Sequence, residues 1–263
     1  MNLSRRRTPW GVGALVAGAA LLLALPLIGL VQRASWSTLV DDLTTTEARN
    51  ALVLSIVVSL AATLACVVLG LPLAWVLART RWAGRGVLRV LVLVPLVLPP
   101  VVGGIALLSA FGRRGLIGAP LGDVLGIQLT FTTAGAVLAA TFVALPFFVL
   151  VAEAALRQVD TRYDEVAATL GASRWFTFRR VTLPMMAPGL AAGAVLAWAR
   201  ALGEFGATLT FAGNVEGETR TLPLAIYLEL DTNASGAVAL SLLLLAVAVV
   251  VVVALRGRWW NES

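Results

Sequence analysis

Six uninterrupted apolar runs divide the chain, covering about 11–31, 51–78, 88–111, 134–156, 187–212 and 236–255. Runs of roughly 20 apolar residues match the length a helix needs to cross a hydrocarbon layer about 30 Å thick. Inside such a layer no water is available to the backbone, so only helices or closed barrels can satisfy every N–H and C=O. A barrel strand would alternate apolar and polar residues over about 10 positions; these runs do not alternate. The expected fold is an all-α integral membrane protein with six transmembrane helices. Composition agrees: 13% of the 263 residues are charged, about half of the roughly 25% usual in soluble domains.

The net charge of +6 does not point to nucleic acid, because the basic residues sit in short connections between spans. All 20 of them are arginine, and the chain contains neither lysine nor histidine. A P-loop lysine and a Schiff-base lysine are therefore excluded. The one cysteine, Cys66, lies inside an apolar run and reads as a small core residue. With so few ligands, nucleophiles and bases, no catalytic residue and no metal site are expected.

Arginine counts orient the chain. The N-terminus (Arg5, Arg6, Arg7), the second-to-third connection (Arg79, Arg81, Arg85, Arg89), the fourth-to-fifth (Arg157, Arg162, Arg174, Arg179, Arg180) and the C-terminus (Arg256, Arg258) together carry fourteen. The opposite side carries five: Arg33, Arg49, Arg113, Arg114 and Arg220. Both termini are expected in the cytoplasm. The triple arginine before the first run resembles an export signal, but the run ends in LVQRASW without a small-x-small cleavage site, so it reads as an uncleaved first span.

The most informative polar stretch, EVAATLGASRWFTFRRVTLP, runs from Glu165 to Pro184 on the expected cytoplasmic side. Thr161 with Asp164 three residues on has the form of a helix start, and Glu165 suits the positive end of the helix dipole. Gly171 is placed to end that helix in a left-handed conformation. Ser173 is placed to cap a second short helix carrying Trp175, Phe176 and Phe178, and Pro184 to reset the chain before the fifth span. The residues alone fit either an amphipathic helix pair lying in the headgroups or a knob that docks a partner protein.

Glu165, Ala167, Gly171, Val181, Leu183 and Pro184 match the E-A-A, x3, Gly, x9, Ile-x-Leu-Pro pattern of ABC importer permeases, with Val166 and Val181 as mild departures. On this motif the chain resembles the permease subunit of a binding-protein-dependent importer. The resemblance implies a type I ABC importer permease (MetI-like) fold over residues 50–255, with a coupling loop at 157–186. Residues 1–49 form an added first span and outer loop, and 256–263 a cytoplasmic tail. It also implies that Glu165, Ala167, Ala168, Gly171, Ala172, Ser173, Trp175, Phe178, Leu183 and Pro184 couple this chain to an ATPase. The implied partners are a second copy of the chain, two ATP-binding cassette subunits and an extracytoplasmic oxyanion-binding protein. ATP and Mg2+ would be held by the ATPase and no cofactor by this chain. The implied location is a bacterial or archaeal cytoplasmic membrane.

A second stretch, WARALGEFGATLTFAGNVEGETRTLPLAIY from Trp198 to Tyr227, places Arg200 and Glu204 one helical turn apart, where they can pair. At 1.5 Å per residue Arg200 lies roughly 18 Å beyond Pro188, so the pair should face protein or water rather than lipid. Glu204 cancels much of the arginine's field, which argues against a tight anion site. Gly203 and Gly206 are expected to admit a neighbouring helix. The same stretch resembles molybdate importer permeases. This resemblance implies molybdate or tungstate as cargo, Arg200, Glu204 and Thr208 as pathway or gate residues, and Asn214, Glu218 and Arg220 as binding-protein contacts. Sulfate or thiosulfate import is the near alternative. An ion-gradient-driven transporter is the distant one and requires several deep carboxylates, whereas only Glu204 reads as clearly deep.

Overall fold

The computed structural model describes residues 10–259, and side chains to residue 254. Arg5, Arg6 and Arg7 lie outside the described residues, as do the side chains of Arg256 and Arg258. In chain order the helices are α1 (Trp10–Gln32), α2 (Leu39–Thr44), α3 (Thr46–Arg79), α4 (Arg85–Val97), α5 (Pro100–Phe111), α6 (Gly118–Leu125) and α7 (Thr133–Gln158). They continue as α8 (Arg162–Thr169), α9 (Arg174–Thr177), α10 (Leu183–Leu202), α11 (Gly206–Ala212), α12 (Leu222–Thr232) and α13 (Ala234–Trp259). The all-helical expectation holds across the described residues.

Among the described residues five helical stretches are long and apolar enough to cross a membrane: α1, α3, α7, the segment Arg174–Leu202 and Ala234–Ala254 of α13. The remaining expected span, 88–111, is built from two helices, α4 and α5, separated at Leu98 and Pro99. Two consecutive prolines remove two N–H donors, and the residue before a proline is driven out of the helical region. Pro100 is tolerated because it opens α5, where an N–H would have no partner. Pro72 and Pro146, by contrast, lie within the unbroken helices α3 and α7. The expected domain boundary at 49/50 falls inside the first turns of α3, which starts at Thr46 behind the Thr45 cap.

Helix α7 is the centre of the bundle. Helices α3 and α10 pack along it, and α4, α5 and α11 also contact it. Small residues set these distances: Ala62, Cys66, Ala74, Ala136, Ala139, Ala140, Ala144 and Ala152 are all buried in one cluster around Phe148. A side chain at Gly70 would meet the Phe148 ring at 2.5 Å, and one at Gly189 would meet the Ala155 methyl at 2.4 Å. Lipid tails are as apolar as leucine, so helix association here rests on close packing rather than on water exclusion. Cys66 is buried as expected, its Sγ 3.7 Å from the Thr141 carbonyl. Helix α1 has no buried residue and touches α13.

The packing yields a prediction. Gly70→Val and Gly189→Val should each destabilise the purified protein by overpacking, by about 1–3 kcal/mol. Gly86→Val, where no atom lies within 4 Å of the added carbon, should be close to neutral. Thermal unfolding in detergent, followed by tryptophan fluorescence, measures the order of the three.

Candidate functional site

Two regions carry the polar chemistry: a paired-helix knob formed by α8 and α9, and a break in the long helix that follows it. The knob begins where α7 ends. Its first helix is capped by Asp160, whose Oδ1 accepts from the Arg162 N–H at 2.9 Å. Thr161 makes no side-chain cap, which corrects the expected hydroxyl cap. A carboxylate one residue earlier is the stronger acceptor, and its charge favours the helix N-terminus. Gly171 adopts φ +80° and its N–H and that of Ala172 return to the carbonyls of Ala168 and Ala167 at 3.0 Å, ending α8 as expected. Ser173 Oγ then accepts from the Phe176 N–H at 3.2 Å, starting α9.

The knob keeps its apolar surface outward. Val166, Leu170, Trp175 and Phe176 are exposed, Leu170 by 82% and Trp175 by 68%. A shallow groove on it is lined by Ala167, Gly171, Ala172, Ser173, Phe176 and Val181. Among the described residues, nothing approaches within 4 Å of a side chain added at Gly171. The requirement for glycine there is therefore conformational. Phe178 turns the other way: its ring stands edge-on to Trp75 of α3, centroids 5.1 Å apart. Glu165 is exposed, Ala168 is exposed, and Leu183 is half-buried.

Pro184 does not reset the chain. α9 runs through a single π turn at Phe178–Thr182 directly into α10. Proline lacks an N–H and its ring crowds the carbonyl one turn back, and a wider turn just before it accommodates both. Thr182 is fully buried, and its Oγ1 lies 3.4 Å from Asp164 Oδ1 of α8, tying the two halves of the knob.

The expected fifth span, 187–212, is likewise two helices. It stops at Leu202 and resumes at Gly206 as α11, with Gly203, Glu204 and Phe205 between. Glu204 is therefore at the break rather than on a continuous helix face, and it occupies that place for a reason. Its Oε1 accepts from the Ala207 N–H at 2.8 Å, capping α11, while Oε2 lies 2.7 Å from Arg200 Nη1. The arginine contact lacks hydrogen-bond alignment, so it acts as a charge contact. The Glu204 side chain is 2% exposed, and one buried carboxylate thus faces both a guanidinium and a helix N-terminus. This neutralises Arg200, consistent with its not being a tight anion site. Thr208, on α11, is buried beside the break.

Gly206 admits a neighbour as expected: an added carbon would stand 2.8 Å from Pro100 Cβ at the α4–α5 break. The same holds for Gly104 of α5, where it would meet Thr210 Cβ at 2.6 Å. The two broken spans therefore pack against each other near their interruptions. Gly203 has only its own helix's Ala199 carbonyl nearby, at 3.6 Å, so the expected close approach there does not occur.

The loop after α11 is internally braced. Arg220 donates to Asn214 Oδ1 and Glu216 Oε2, each at 3.1 Å, and the Val215 N–H donates to Thr219 Oγ1 at 2.8 Å. Of the three residues expected to meet a partner, Asn214 and Arg220 thus turn inward, and Glu218 remains exposed with Val215 and Glu216. Thr133 of α7 holds the Glu218 carbonyl at 2.9 Å.

The sequence places Glu153 near the end of the fourth span and assigns it no role. Its side chain is 7% exposed, in the last turns of α7, and its Oε1 accepts from Arg157 Nη2 at 2.7 Å and from Arg89 of α4. The sequence did carry a signal: Glu153 and Arg157 have the same i, i+4 spacing as Arg200 and Glu204. The contribution of Arg89, 64 residues away, did not show.

The chain is similar to known proteins. The model for the family "Binding-protein-dependent transport system inner membrane component" matches residues 67–258. The "Molybdenum transport system permease protein ModB" of Mycobacterium tuberculosis is 54% identical over 205 residues, covering 78% of this chain and 77% of that protein. The "Sulfate transport system permease protein CysT" of Escherichia coli is 35% identical over 231 residues, covering 86% and 83%. Among solved structures, a bacterial ABC transporter involved in the import of the acidic polysaccharide alginate superposes with a TM-score of 0.76 at 19% identity, covering 95% and 94% of the two chains.

The break generates a prediction. Arg200→Ala leaves a buried carboxylate without its counter-charge, a loss of about 3–5 kcal/mol. Arg200→Ala with Glu204→Ala should recover part of that loss, although the α11 cap is then gone. A double-mutant cycle on thermal stability in detergent checks the pairing; additive losses would remove it.

Proposed function

This chain belongs to the binding-protein-dependent transport system inner membrane component family, and we propose that it is the translocation subunit of an ATP-driven importer of molybdate or tungstate. The single observation that carries the coupling role is the exposed paired-helix knob, with Gly171 left-handed at φ +80° and Trp175 and Leu170 facing outward. An apolar knob on a polar side of a membrane protein is a surface built for a protein groove. The all-arginine composition supports the assignment of ATP to another chain, since a P-loop requires lysine. Identity of 54% to a molybdenum permease against 35% to a sulfate permease supports the choice of cargo.

In this reading the knob side faces the cytoplasm, as do both termini, and two copies of the chain enclose the path. Two ATPase subunits bearing ATP and Mg2+ seat the two knobs, and an extracytoplasmic oxyanion-binding protein docks over the opposite face, with Glu218 among its contacts. Closure of the ATPase pair biases the permease toward one access state through the knobs, a population shift driven by differential affinity. The bundle supplies two elements that such a shift can act on, the α4–α5 and α10–α11 breaks packed together at Pro100 and Gly206. This chain performs no chemistry of its own; it positions helices and passes the anion.

Two outcomes are expected from uptake assays in cells producing the permease with its ATPase and binding protein. Molybdate uptake should be inhibited by excess tungstate and hardly by sulfate; equal inhibition by sulfate would overturn the cargo. Gly171→Val forces a β-branched residue into the left-handed region at a cost of about 1–2 kcal/mol or more, enough for roughly a tenfold loss in a coupling equilibrium. It should abolish most uptake while membrane levels of the protein stay constant, because the position is open within the chain. Normal uptake would sink the coupling role of the knob.

A further inference from the structure

The buried Glu153 has no task in the reading above, yet it sits where the knob joins the bundle. Helices α4 and α7 meet at it, and the end of α3 joins through Arg157. Arg157, one turn further along α7, contacts Glu153 Oε1 through both Nε (3.0 Å) and Nη2 (2.7 Å), and Nη2 also donates to the Leu77 carbonyl of α3 at 3.2 Å. Arg89 reaches the same Glu153 oxygen from the second turn of α4. Arg79, the last residue of α3, donates from Nη2 to the Val159 carbonyl at 2.7 Å. Val159 closes α7, and the next residue, Asp160, caps α8. The foot of the knob is thus tied to the end of α3 by Arg79, while Glu153 ties α4 to α7 through Arg89 and its partner Arg157 bonds the end of α3.

We propose that Glu153 is a positioning residue for coupling: with Arg89 and Arg157 it forms a clasp that makes α4 move with the foot of the knob. The inference deepens the proposed transport role and rests on it. Its physical basis is the placement of the charges. A carboxylate 7% exposed with two guanidinium partners is well satisfied, whereas loss of its charge leaves two arginines at the foot of α4 and α7 with no counter-charge between them. Helix α4 otherwise meets α3 and α7 mainly through apolar side chains such as Val92 and Leu88, and apolar contacts slide where a charge-assisted bond fixes a register. Beyond Pro99, α4 continues as α5, which carries the Gly104 and Pro100 contacts to α11. The clasp therefore stands between the knob and the helix pair that packs on the Glu204 break. The aromatic seat of Phe178 on Trp75 fixes the far end of the knob to α3 but makes no link to α4.

The test uses the full importer in liposomes, with ATPase and binding protein present, and compares Glu153→Gln, Arg89→Gln and Arg89→Lys with the wild type. Linked sites commonly show coupling factors of roughly 5- to 150-fold, so anion moved per ATP hydrolysed should fall by at least about fivefold in the two glutamine variants. Arg89→Lys, which keeps the charge, should restore most of it. A purely structural role would instead lower the amount of folded permease and leave transport per ATP unchanged, and that result overturns the proposal. A second measurement stands apart from transport. Spin labels at Val87 of α4 and Leu170 of the knob, both exposed, should give one narrow distance distribution in the purified permease and a broadened one in Glu153→Gln and in Arg89→Gln. Identical distributions would also overturn it. If the wild type moves no molybdate, the cargo reading fails while the spin-label distances still decide the clasp. Should Glu153→Gln not fold, the more exposed Arg89 supplies the variant that decides.

Discussion

Every backbone N–H and C=O within a membrane must find its partner inside the protein, and the structure is organised around where that requirement is met and where it is broken. Most of the chain meets it with uninterrupted helices. At Leu98–Pro99 and at Gly203–Phe205 the helices stop, and at the second break a side chain takes over the backbone's task. Glu204 caps α11 through Ala207 and balances Arg200 with its other oxygen. A carboxylate that would be costly alone becomes inexpensive because a helix N-terminus and a guanidinium both face it. The breaks are thereby stable features of the bundle. They are also the places where its helices have the least continuous hydrogen bonding.

The small residues of α3, α7 and α10 complete this arrangement. Without a water-exclusion force between spans, contact has to come from close backbone approach, and Gly70, Gly189 and Gly193 provide it against Phe148, Ala155 and Val151. A rigid three-helix centre results, with α4–α5 and α11 packed around α7. The knob is attached to that centre by two kinds of contact: arginine to carbonyl at Val159 and aromatic to aromatic at Trp75. Its free face is apolar and exposed, so a force applied there by a partner would reach the bundle through those attachments and through the continuous helical backbone from α9 into α10.

Much of the knob was legible in the sequence because its determinants are local. A glycine forced to positive φ, a serine capping the next helix and an acid in the first turn act over three or four residues, and spacing alone reveals them. Legibility failed where two candidates competed: Asp160 and Thr161 both suit a cap, and only the backbone geometry selects the aspartate. Pro184 was expected to interrupt the chain, and the π turn that absorbs it lies where Thr182 is buried and Phe178 packs on Trp75 of α3. In the loop after α11, Asn214 and Arg220 have the composition of contact residues. Their side chains are consumed by each other and by Glu216.

By itself the sequence determined that this is a helical membrane protein, that its most informative polar insertion is a pair of short helices, and that the chain offers no lysine for a P-loop. Those follow from run length, residue spacing and the absence of lysine, all properties of residues near one another or of composition. Only the tertiary structure decided that two spans are broken and face each other at Pro100 and Gly206, and that Glu153 is a buried junction of α4 with the foot of the knob. Contacts between residues 64 and 106 positions apart leave no periodic trace, because what brings them together is the packing of α4, α5 and α11 around α7.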